Sequence, residues 1–137
     1  MTAPSVRNYM NPKLVYLREG DRAGVALHPI LDFSITAVPV VDDDHKPVGI
    51  VSLRDLVDPK RQGARMTELV VKIDVDASIV SAARALVDAN VHHLVVIDSE
   101  GRAAGMISAL DVVRALIGVA AKHPIAIEDF DAPAVKT

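Results

Sequence analysis

Cysteine and tryptophan are absent from this chain, and tyrosine and phenylalanine occur twice each. Without cysteine there is no disulfide, no thiolate metal site and no thiol nucleophile. With aromatics at 3% of residues, the core has to come from Val, Ile, Leu and Ala. Basic runs are missing as well: none is longer than Lys60-Arg61, and the formal net charge is −3. Nucleic-acid binding normally needs a basic face and stacking rings, so no nucleic-acid partner is expected. The opening MTAPSVRNYMNPK lacks the apolar core of a secretory signal, and no apolar run is long enough to span a bilayer. A cytoplasmic protein with no membrane partner is the expectation.

Half of the 137 residues are apolar and 24% are charged, with the two signs interleaved. That composition suits a globular fold of one compact domain, or two small lobes sharing a core.

The chain is a duplication. A shift of 56 positions lays ITAVPVVDDDHKPVGIVSLRDLV (35–57) on VHHLVVIDSEGRAAGMISALDVV (91–113) without a gap. The register extends upstream: Met10 falls on Met66, Val15 on Val71, Ala26 on Ala82 and Asp32 on Asp88. Such a register points to two copies of one folding unit.

Each copy reads as β-α-β-β-α. A short apolar run opens it (Leu14 to Leu17; Val70 to Ile73) and a polar break follows. In the second copy Ile79, Ala82, Ala83, Leu86 and Val87 recur at helical spacing, with Ser78 placed to start the helix and Asn90 to end it. Two β-rich runs come next, Ala37 to Val41 and Val48 to Ser52, repeated as His93 to Ile97 and Ala104 to Ser108. A closing helix begins after Ser52 or Ser108 and is expected to run through Leu116 towards Ala121. In the first copy Gly24 and Pro29 interrupt the matching helix, and the expectation there is a kink or break near Pro29. The fold class is therefore α/β (α+β): two pseudo-symmetric units, each a small sheet with helices, expected to pack face to face. The linear division is 6–57 for the first unit, 58–65 for a linker, 66–121 for the second unit and 122–137 for a tail.

Both copies carry the pattern G-x-x-S-x-x-D, as GIVSLRD (49–55) and GMISALD (105–111). A serine ending a strand, with an acid three residues later at a helix start, is a capping box. A duplication copies caps as faithfully as sites, so repetition alone does not separate the two. The same geometry also suits a ligand. Free N–H groups at a helix start favour a phosphate, and a carboxylate one turn on can accept both hydrogens of a ribose diol. Asp42-Asp43-Asp44-His45 lies between two strands and reads as a solvated turn, so no metal is expected there. His92 and His93 alternate across a strand and do not face one ion together. No nucleophile–base pair is present to nominate as catalytic, and the expectation is a protein that is not an enzyme.

From about Val6 to Leu116 the chain resembles a tandem pair of CBS domains, the Bateman module. The resemblance rests on Met10-Asn11-Pro12, ITAVPVVD (35–42), Gly49 through Asp55, and the second-copy partners Met66, Val91 through Asp98 and Gly105 through Asp111. It implies two clefts between the lobes that bind AMP, ADP, ATP or S-adenosylmethionine as regulatory ligands, with no obligatory cofactor. Carried over by position, Ser52 and Asp55 would serve one cleft and Ser108 and Asp111 the other. The aspartate would hold the ribose, with the serine near ribose or phosphate. Leu14, Val15, Val38 and Pro39, and their counterparts Val70, Val71, Leu94 and Val95, would enclose the adenine. His93 and Ala37 stand where some relatives place a basic residue on phosphate. The chain departs from the family pattern in having Ser where Thr is more usual, Val95 where the first copy has Pro39, and an uncharged Ala37. If one cleft is used, the resemblance favours the one lined by His93, Ser108 and Asp111.

The expected function is a non-catalytic regulatory module that senses adenine nucleotides, and with them energy state, and signals to a partner protein in trans. A homodimer is expected from the apolar content of the final helix (Val112, Val113, Leu116, Ile117, Val119). The rival expectation is an interaction scaffold in which both Ser/Asp pairs are helix caps and no nucleotide binds.

Overall fold

In the computed structural model, which describes residues 3–12, 16–21, 37–52 and 70–122, Ser78 and Asn90 bound a helix as their residue types predict. Ser78 Oγ accepts the Ser81 N–H at 3.0 Å, and Asn90 takes the left-handed conformation (φ 54°) that ends the helix. The chain forms two compact units, taken in turn below.

The unit holding the second repeat contains α1 (Val6–Tyr9), β4 (Lys72–Asp74), α2 (Ile79–Ala89), β5 (His93–Ile97), β6 (Ala103–Ser108) and α3 (Ala109–Ile117). Its sheet has the order β4-β5-β6, with β4 parallel to β5 and β5 antiparallel to β6. Ile79, Ala82 and Leu86 of α2 and Val112 and Ala115 of α3 bury against Leu94, Val96 and Ile107 of the sheet. Val87, periodic with the core positions of α2, is 77% exposed. The closing helix stops at Ile117, short of Ala121, because Gly118 adopts φ 76° and its N–H turns back to the Ala115 carbonyl.

Residues 3–12 belong to this same unit, although the linear division assigns the chain from residue 6 onward to the first copy. The expected linker at 58–65 lies outside the described residues. The Val6 and Arg7 N–H groups donate to the carbonyls of Ala77 and Val75 at 2.9 and 3.0 Å. Asn11 pairs antiparallel with Met106 on the free edge of β6. Val6 and Met10 are fully buried in the core. Burying such side chains is worth about 1.5–3 kcal/mol each, against about 0–1 for an exposed ion pair such as Arg7–Asp76. Apolar burial is therefore what anchors this segment.

The other unit shows β1 (Leu17–Arg18), β2 (Ala37–Val41) and β3 (Pro47–Ser52), in that order and with the same parallel and antiparallel pairings. The two sheets repeat even their irregularities. A bulge lies between Val40 and Val41 in one and between Val96 and Ile97 in the other. In the following turns Asp42 Oδ1 accepts the N–H groups of Asp44 and Lys46, and Asp98 Oδ1 accepts those of Glu100 and Arg102. Desolvation raises the Asp98 pKa, but these two N–H bonds and the Arg102 guanidinium outweigh it and hold the carboxyl below its ordinary range. The Asp42 carboxylate of the DDDH run thus closes its own turn. Both expected helices of the first repeat (with Gly24 and Pro29), the expected linker and the tail from 123 onward lie outside the described residues. Among the described residues no helix is long and apolar enough to cross a membrane.

Candidate functional site

The end of β6 and the start of α3 assemble the second-copy motif. Ser108 is the last strand residue and the N-cap of α3, with extended backbone (φ −100°, ψ 164°). Its Oγ accepts the Asp111 N–H at 3.1 Å, and Asp111 Oδ2 accepts the Ser108 N–H at 2.9 Å. Both bonds of a capping box are made. Asp111 is 3% exposed, and a buried carboxylate is costly unless paired. The pairing comes from that N–H, from the positive end of α3, and from Arg114, whose Nη1 lies 3.3 Å from Asp111 Oδ1.

His93 faces the same place. In the β5–β6 ladder it stands opposite Ser108, and it lies close enough to Asp111 to feel its charge. Burial, and next the neighbouring His92, hold the His93 imidazole below the ordinary histidine range, while Asp111 pulls the other way. The glycine of the motif has a different task. A Cβ on Gly105 would stand 2.5 Å from the Asn11 carbonyl oxygen, so a glycine is required for the N-terminal segment to approach β6.

The structure thus brings His93, Ser108 and Asp111 together. Alternation along β5 separates their neighbours: Val95 falls on the His93 side, whereas the Leu94 side chain is fully buried in the core with Ile107. The Leu94 side chain therefore lies on the core face of β5, away from the His93 side. Val70 and Val71 are half-buried beside β4, and the Val71 carbonyl accepts the Val95 N–H at 3.0 Å. In the other unit Ser52 ends β3 opposite Ala37, the register of Ser108 and His93, and Val38 and Pro39 are buried in β2. Leu14, Val15 and Asp55 lie outside the described residues.

Sequence reasoning passed over Arg114. Its signal was present as an acid and a base three residues apart at a helix start, and the duplication places Asp58 at the same position in the first copy. A cap, a buried carboxylate, a guanidinium and an imidazole in one place can accept a diol and attract an anion. The carboxylate oxygens can each accept more than one hydrogen bond, so holding the Ser108 N–H does not by itself bar a second donor.

The family model described as CBS domain matches residues 6–59 and again 64–118. Inosine-5'-monophosphate dehydrogenase of Mycobacterium bovis is 36% identical over 104 residues, which cover 72% of this chain and 19% of the enzyme. The chain therefore spans about a fifth of the length of that relative. Among solved structures, CBSX2 of Arabidopsis thaliana in complex with AMP superposes with a TM-score of 0.71 at 25% identity, covering 83% of this chain and 96% of that one. The cytosolic domain of the Mg2+ channel MgtE in complex with ATP superposes with a TM-score of 0.64 at 32% identity, covering 77% and 46%.

Proposed function

The chain belongs to the CBS domain family, carrying two copies in tandem, and from that premise we propose that it is a non-catalytic regulatory module that binds an adenine nucleotide and passes the binding on to a partner protein. One observation carries the reading. His93, Ser108 and Asp111 converge at the start of α3, in a fold whose relatives CBSX2 and MgtE have been solved with AMP and ATP. In this reading Asp111 accepts the ribose hydroxyls, and Ser108, the α3 N-terminus and His93 meet the phosphate end. Ser52 and Asp55 are the first-copy equivalents by register, with Ala37 in place of the histidine. A bound nucleotide acts by favouring one arrangement of the module over another, and only to the extent that it binds the two differently. The module works in the cytoplasm.

A second copy of the chain is part of the proposal. Val80 and Val87 on α2 and Leu110, Val113 and Ile117 on α3 form exposed apolar stripes at helical spacing. Exposed stripes of this kind mark an association surface.

The scaffold reading draws on a specific observation as well: both capping-box bonds are made, so the Ser/Asp pair already has structural work. A thermal-shift series with AMP, ADP, ATP, S-adenosylmethionine and NAD separates the two. A true ligand at 100 times its Kd adds about 2.7 kcal/mol of stability. No shift with any of them at millimolar concentration leaves only the scaffold.

A further inference from the structure

The site carboxylate in the second copy is followed one turn later by Arg114, whereas the first copy carries Asp58 at that position. The adjacent strand position differs in the same sense, His93 against Ala37. We infer that Arg114 is a specificity-determining residue of the second-copy site, selecting adenosine compounds that carry a phosphate over those that do not; the inference rests on the nucleotide reading above.

Asp111 is buried, and its side chain is 5% exposed beside an Arg114 side chain that is 22% exposed. A ribose diol donating to this carboxylate brings the 5' substituent of the same sugar into the neighbourhood of the α3 N-terminus. Where that substituent is a phosphate, two anions would face each other in a partly desolvated place, and like charges there repel strongly. Arg114 removes that conflict. A guanidinium has five N–H donors in a planar fork, so it can keep one on Asp111 Oδ1 and turn others to a phosphate oxygen. A charge-assisted hydrogen bond of this kind is worth tenfold or more in affinity. An uncharged adenosine draws nothing from the exchange, because its diol needs only the carboxylate. In the first copy the equivalent Asp58 would add a negative charge where the second copy has a positive one. Arg54 falls by register on Leu110, which is exposed in the second copy and lies one residue before the carboxylate.

The test is calorimetric titration of the full chain with AMP and with adenosine, for the native protein and for Arg114→Gln. The native protein is expected to bind AMP more tightly than adenosine. Arg114→Gln should lose tenfold or more for AMP while its adenosine affinity stays within about twofold. An unchanged AMP-to-adenosine ratio in Arg114→Gln overturns the inference, as does an equal loss for both ligands, which would mark a purely structural role. Native protein that binds neither of these ligands, nor ADP, ATP or S-adenosylmethionine, overturns the nucleotide reading itself, an outcome distinct from native binding with an unaltered ratio. Should Arg114→Gln fail to melt cooperatively, Arg114→Lys replaces it. The point charge should then preserve an AMP preference that shrinks as salt is raised, and a salt-independent preference would contradict the inference.

Discussion

Asn11 and Met106 exchange two backbone hydrogen bonds, 2.7 Å from the Asn11 N–H to the Met106 carbonyl and 3.2 Å in the other direction. The segment that opens the first repeat in sequence is thereby an edge partner of the second repeat's last strand, and Gly105 is the residue that lets it come close. The Tyr9 hydroxyl adds a second tie, donating to the Val119 carbonyl at 3.0 Å just beyond α3.

Gly105→Ala is expected to destabilise the protein by about 1–3 kcal/mol, because the new methyl group meets a backbone carbonyl, which cannot swing aside as a side-chain tip can. Urea denaturation followed by circular dichroism measures it. A midpoint equal to that of the native protein would mean that the N-terminal segment is not held on β6 as described.

His93 makes stability depend on pH. Its folded pKa is lowered, chiefly by burial, so below the ordinary histidine value of about 6.5 the unfolded chain takes up a proton that the folded protein does not. Folding stability therefore falls as pH drops through that value, until the folded pKa is also passed, and this contribution vanishes well above it. His93→Gln should flatten the fall in denaturation midpoint between about pH 7.5 and 5.5. Parallel curves for the native protein and the variant would show that His93 is not held neutral by its surroundings.

The exposed stripes on α2 and α3 give a test of self-association. Val87 is 77% exposed and Ile117 68%. Sedimentation velocity is expected to find a dimer for the native chain and a monomer for Val87→Glu combined with Ile117→Glu, with the melting behaviour of each protomer otherwise retained. A native monomer at tens of micromolar would remove the homodimer from the proposal.

Much of this architecture is legible in the residue string because the repeat supplies two readings of each element. Ser78 and Asn90 mark α2 to the residue, and Asp42 and Asp98 mark equivalent turns. What escapes the string has physical causes. A repeat register does not say which copy a segment packs against, so the placement of residues 3–12 on the second unit was not readable. Helical periodicity gave five apolar positions on α2, but the buried stripe takes Ile79, Ala82 and Leu86 and leaves Val87 in solvent. The strand expected at Val70 to Ile73 is Lys72–Asp74: as an edge strand it pairs on one side only, and polar residues are at home there. Within the site, Ser108 and Asp111 were readable from the motif, while Arg114 was hidden among ordinary surface charges until its distance to Asp111 singled it out.

Asp111 caps its helix and, in the proposed function, also holds a ribose. Isothermal titration with AMP, run beside denaturation curves for the native chain and Asp111→Ala, tests both halves at once. Measurable AMP binding is expected for the native protein, and the variant should fold with a stability loss of about 1 kcal/mol from the missing cap yet lose the binding attributed to the second copy. A variant that loses the cap energy and binds AMP as the native chain does would contradict it.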